Sequence, residues 1–116
     1  MLDLTCSNFR LRDLRKIVEP SLHEVEWQQE TGNSEWIHIE NTSLLKKWVS
    51  NLPIKSSESV IVTDKSWSKS AIHDWQFVSA NLLGLKEDSF SFFISQHRLW
   101  VIEVNLIGVA RFGFWR

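Results

Sequence analysis

The chain has 116 residues, a formal charge of −1, and apolar (43%) and charged (23%) fractions ordinary for one globular domain, here residues 1–116. One cysteine, Cys6, excludes an internal disulfide and a multi-cysteine metal site, and the absence of tyrosine excludes phenol-based acid–base chemistry. Seven tryptophans and seven phenylalanines supply large rigid pieces for a small core. No apolar run reaches the length of a membrane span, and the start, MLDLTCSNFRLRDLRK, has no apolar signal-type stretch, so a reducing cytoplasm is expected.

In chain order, LDLTC alternates like a short strand. SNFRLRDLRKIV then places Leu11, Leu14, Ile17 and Val18 on one helical face, with Ser7 or Asn8 as N-cap and Pro20 limiting extension beyond Glu19. HEVEWQQETGNSEWIHIE predicts two strands joined at Thr31–Asn33. NTSLLKKWVSNLP predicts a short helix capped by Asn41 or Thr42, with Leu44, Leu45, Trp48 and Val49 inward and an end before Pro53. SVIVTD is an apolar strand of the kind found at a sheet centre. SWSKSAIHDWQFVSANLLGL predicts one helix with Ile72, Trp75, Val78 and Leu82 on its buried stripe and Gly84 as a left-handed C-terminal cap. The last third predicts three strands, SFSFFIS, RLWVIEVNLI and VARFGFW, with a turn or bulge at Gly108. Adjacent strands favour antiparallel pairing. The expected class is therefore α+β, a mixed, mostly antiparallel sheet of about five to six strands against two to three helices.

Charge is unevenly distributed. Residues 19–40 carry six acidic groups and no lysine or arginine, whereas residues 1–18 and 41–70 are net basic. Burial selects a register for the predicted hairpin. Pairing Trp27 with Ile37 and Val25 with Ile39 gathers four apolar side chains on one face. The other face then holds Glu24, Glu26, Glu30, Trp36, His38 and Glu40, with Glu24 opposite Glu40 and Glu26 opposite His38. Like charges across a ladder cost stability. Such a face is covered by the chain's own basic helices, around Arg12 or Lys46, or it awaits a basic partner, with Trp36 suited to a central anchor.

The remaining chemistry has less behind it. His38 with Glu40, Glu24 and Glu26 could share a metal ion, but no HxxxH, HExxH or CxxC spacing supports this, and no metal or cofactor is expected. Cys6 could pair with His23, His38, His73 or His97, yet nothing local supports it. Glycines at 32, 84, 108 and 113 form no phosphate-cradling loop. Arg10, Arg12, Arg15, Lys16, Lys46 and Lys47 could contact a nucleic-acid backbone, but no recognition motif accompanies them, and solvated helix faces are expected instead.

The expectation is a cytoplasmic binding protein without catalysis of its own, of the inhibitor, immunity or antitoxin type, neutralising a basic protein partner such as a nuclease toxin. Its alternatives are an enzyme or ligand-binding domain with an aromatic-lined pocket near Trp100, Phe112 or Phe114, and a regulatory nucleic-acid binder using the Arg10–Lys16 helix. The oligomeric state is not readable from the sequence.

Overall fold

The computed structural model describes residues 11–29, 35–97, 99–105 and 107–116, with the backbone alone for 11–13. The LDLTC stretch, the proposed caps Ser7 and Asn8, Cys6, Glu30 and the Thr31–Asn33 loop lie outside the described residues. The chain is an α+β fold in which every strand pair is antiparallel.

Helix α1 (Leu11–Ser21) buries Leu14 and Val18 and packs Ile17 beside them. It runs two residues past Glu19, through Pro20, before a single 3-10 turn at Leu22–Glu24. Strands β1 (Val25–Trp27) and β2 (Ile37–His38) follow, then α2 (Thr42–Asn51). As predicted, Asn41 caps α2, its side chain accepting from the Leu44 N–H at 3.1 Å. Next come β3 (Ser59–Asp64) and β4 (Ser70–Asp74), the short helices α3 (Trp75–Ala80) and α4 (Leu82–Glu87), and finally β5 (Phe90–Ser95), β6 (Trp100–Asn105) and β7 (Val109–Trp115). The sheet order is β1-β7-β6-β5-β3-β4, with β2 also on β7.

Two expectations fail here. The single helix predicted from SWSKSAIHDWQFVSANLLGL is a strand followed by two short helices. Ile72, read as part of a buried helical stripe, sits on β4 and is 47% exposed. Asp74 forces the change. Its carboxylate accepts from the Phe77 N–H at 2.8 Å, an N-cap that can only open a helix at Trp75. Gly84 lies inside α4 without the positive φ of a left-handed cap.

The predicted hairpin also does not form. β1 and β2 do not pair with each other; both pair with β7, Val25 opposite Trp115, Trp27 opposite Gly113 and Ile37 opposite Ala110. They are two pieces of one interrupted edge strand. The Gln28 N–H still bonds the Phe112 carbonyl, so an unbroken strand would bring residue 30 opposite Ala110. Ile37 is there instead, seven residues later.

An odd insertion reverses the side-chain alternation. Val25 and Trp27 therefore join the α1 side of the sheet, with Leu14, Val18, Ile61, Trp67, Phe92, Ile94 and Val101. Ile37 and Ile39 join the other side, with Trp48, Val60, Val62, Trp75, Val78, Leu82, Phe93, Ile102 and Phe112 beneath α2, α3 and α4. A register chosen by burial holds only for a sheet with one buried face. The sheet has two, so all four residues are satisfied without sharing one.

Candidate functional site

The six residues singled out from the sequence divide into three groups. Glu24 and Glu26 lie at the end of β7 nearest the C-terminus: Glu26 is opposite Phe114, and the Glu24 carbonyl accepts from the Arg116 N–H at 3.4 Å. Trp36 and His38 lie along the same β7 edge toward its start, with His38 exposed and opposite Val109. Glu40 lies beyond β2 beside Gly108. Glu24 and Glu40 are thus at opposite ends of β7, roughly 27 Å apart along the strand. The like-charge pair expected between them does not exist. Glu30 is among the residues not described.

Trp36 is not the anchor of an open acidic face. The Arg111 guanidinium on β7 lies 3.8 Å from the Trp27 ring centroid and 4.5 Å from that of Trp36. The same guanidinium donates to Glu35 at 2.5 Å and to Glu103, the residue opposite it on β6, at 2.7 Å through Nη2 and 2.9 Å through Nε. One cation thus meets two carboxylates and two indoles, closing the β7 edge where the chain leaves and rejoins it. Gly113 permits the close approach: a Cβ there would come within 2.5 Å of Val25 Cγ1 and 2.8 Å of the Glu26 carbonyl.

Glu40 is also neutralised from within. It pairs with Lys86 of α4 at 2.9 Å and lies across Gly108, whose φ of 98° makes the β6–β7 turn and whose missing Cβ leaves room for the carboxylate. Among the described residues the cover comes from β7 and α4. The Arg12 side chain is outside the described residues; Lys46 is exposed on α2.

Glu24 and Glu26 differ from the rest. Both are exposed, and among the described residues neither carboxylate has a hydrogen-bond or ion-pair partner. Arg116 is close by, but its side chain makes no ion pair with them. Across the ladder from Glu26, Phe114 is 37% exposed, in edge-to-face contact with the buried Phe112 at 5.0 Å. Directly opposed residues have Cβ atoms about 5 Å apart. Leu99, 55% exposed, lies at the same end of the sheet, its carbonyl accepting from the Trp115 N–H. The end of the β1–β7 edge therefore presents the Phe114 ring beside the Glu26 carboxylate, with Glu24 just before β1 and neither carboxylate opposed among the described residues. Phe114 becomes the neighbour of Glu26 because β1 pairs with β7 and not, as the alternation along the sequence predicts, with β2.

The aromatic pocket proposed near Trp100, Phe112 and Phe114 is not formed by those side chains. Trp100 and Phe112 are each 2% exposed and packed in the core. Trp100 donates its indole N–H to Glu58 at 3.0 Å and meets Trp75 edge-on at 5.7 Å. A groove of about 470 Å³ lies elsewhere, between α2 and α3–α4, lined mainly by Leu45, Val49, Leu82 and Leu83, with Lys46 as its charged residue. Among the described residues no three His, Cys, Asp or Glu side chains gather where they could hold a metal ion, and His73 is stacked on Phe77 at 4.3 Å.

The most strongly perturbed carboxyl is structural. Burial pushes the Asp64 pKa up, but the Ser68 hydroxyl, the Lys69 N–H, the Ser66 hydroxyl and the Ser68 N–H together reverse this and hold it well below the usual carboxylate range. That cluster fastens the β3–β4 loop, which turns Trp67, at φ 58°, onto Phe92 and toward Glu19 of α1 at 2.9 Å.

No helix among the described residues is long and apolar enough to cross a membrane. No family model, no characterised protein and no solved structure matches the chain.

Proposed function

We propose that the protein is a cytoplasmic binding protein of the inhibitor, immunity or antitoxin type, which takes a basic protein partner, such as a nuclease toxin domain, on the end of its β1–β7 edge. The carrying observation is the pairing of Glu26 with Phe114, both exposed, beside Glu24, with neither carboxylate counter-charged among the described residues. An apolar residue within a rim of one charge sign suits recognition of a cationic surface. The aromatic supplies contact area, and the carboxylates steer the encounter and reject acidic competitors. Of the other predicted residues, Trp36 lies against Arg111 and Glu40 pairs with Lys86, away from this surface.

The test uses the protein encoded by the adjacent gene, titrated calorimetrically with the wild type and with a Glu24→Lys/Glu26→Lys double variant. The wild type is expected to bind, more weakly as salt rises, and the double variant at least tenfold less tightly with an unchanged melting temperature. Phe114→Ser is expected to weaken binding without altering its salt dependence. Equal binding by the double variant would remove the acidic edge from the proposal.

A further inference from the structure

We propose that the outer edge of β4 joins two copies of this chain through an antiparallel β4–β4 ladder centred on Ile72. β4 ends the sheet and, among the described residues, pairs only with β3. The direction of its backbone groups follows from two bonds. The Trp75 N–H donates to the Glu58 carbonyl at 2.8 Å, continuing the β3–β4 register. The Gln96 N–H donates to the Ser59 carbonyl at 3.0 Å, in register with the β3–β5 ladder. Bonding alternates along an antiparallel strand. Ser59 and Ile61 therefore turn toward β5, and Val60 and Val62 toward His73 and Ala71. The backbone groups of Ser70 and Ile72, and the Asp74 N–H, point outward.

Sheet edges are normally blunted by interruption, proline, bulges or charge. The opposite edge is interrupted, since β1 has three residues and β2 two. β4 runs five residues in unbroken register, with no proline and no lysine, arginine or carboxylate at its centre, Ala71-Ile72-His73. Its middle side chain, Ile72, is 47% exposed.

The strand is complementary to itself. A two-fold axis at Ile72 sets Ile72 against Ile72 and Ser70 against Asp74. The two Ile72 residues exchange N–H and carbonyl bonds, and each Asp74 N–H reaches the partner's Ser70 carbonyl; the Asp74 carbonyl is left to begin α3, as an N-cap does. One Asp74 carboxylate oxygen already holds the Phe77 N–H, and the other faces the partner's Ser70 hydroxyl. Antiparallel pairing also brings the Lys69 end of one strand to the Asp74 end of the other, whereas parallel pairing would put the two Asp74 residues together. The doubled sheet would hold its two β1 edges roughly 50 Å apart, both free for partners.

Sedimentation equilibrium tests this, independently of any binding partner. The wild type is expected at twice 13.6 kDa. Ile72→Lys sets two cations face to face across the axis, and Ile72→Pro removes an outward N–H without touching the β3 ladder. Each is expected to sediment at 13.6 kDa with an unchanged circular dichroism spectrum. A wild type that stays monomeric up to its solubility limit, or a dimer that survives Ile72→Lys, overturns the proposal.

Discussion

Replacing Arg111 with alanine removes the one cation that closes the interrupted edge of the sheet. The Arg111 side chain is 21% exposed, so its interactions are partly shielded from water. Two indole contacts contribute about 0.5–1 kcal/mol each. The charge-assisted bonds to Glu103 and Glu35 contribute about 1.5–3 kcal/mol in sum, because the removal also leaves the 21%-exposed Glu103 carboxylate without its partner. The expected loss is about 3 kcal/mol, or roughly 10 °C in melting temperature for a domain of this size. Arg111→Lys keeps the charge but loses the planar fork and the stacking surface, so about half of the loss is expected. Urea melts give the magnitude. Amide exchange gives the location: the Gln28 and Ile39 N–H groups, bonded to Phe112 and Gly108, should exchange faster relative to Ile61 in central β3. A loss below about 1 kcal/mol for Arg111→Ala, or Arg111→Lys matching the wild type, would refute the account.

Asp64 makes an acid-stability prediction. Its folded pKa is depressed, so its contribution is complete above the unfolded value near 4 and is lost as pH falls from there through the folded pKa. Asp64→Asn is expected to be less stable at pH 7 and to show a shallower decline below about pH 4; urea melts with the same acid slope for both proteins would contradict this. Two buried tryptophans should respond differently to phenylalanine. Trp100→Phe leaves Glu58 without its indole donor, whereas the Trp48 indole N–H has no partner among the described residues. Trp100→Phe should therefore cost about 1–2 kcal/mol more than Trp48→Phe in paired melts.

The fold class was legible because most elements carry a local signal. Asn41 before Leu44-Leu45 marks a capped helix, SVIVTD a central strand, and Gly108 a turn between two strands, and each is found. The failures share one physical cause, information that is not local. SWSKSAIHDWQFVSANLLGL carries a helical apolar period, but hydrogen bonding to β3 makes Ser70–Asp74 a strand, and the cap at Asp74 decides where the helix begins. The hairpin failed because TGN between two alternating stretches is also compatible with an insertion in one strand. Choosing between them required knowing that VARFGFW, far along the chain, would take both stretches as partners. An isolated Arg111 within that apolar run was the available signal, since a cation on a strand facing a packed layer needs opposing charge nearby.

The fate of the acidic segment 19–40 follows from the same long-range pairing. Glu19 takes the indole N–H of Trp67 together with Arg15, Glu35 takes Arg111, and Glu40 takes Lys86. Apart from Arg15, these partners are 46 or more residues distant in sequence, so the block of like charge could only look unopposed when read along the chain. Folding leaves Glu24 and Glu26, among the described residues, as the pair it does not neutralise. Their repulsion is tolerable at an exposed strand end, where water screens it, and would not be in the packed stretch beside Arg111. A stability requirement would put a lysine or arginine across from Glu26, as it puts Arg111 across from Glu103; the position holds Phe114 instead. The Phe114 ring packs edge-on against the buried Phe112 and leaves the Glu26 carboxylate to solvent, which is why a surface carrying both an apolar and a positive group is the one proposed to meet them.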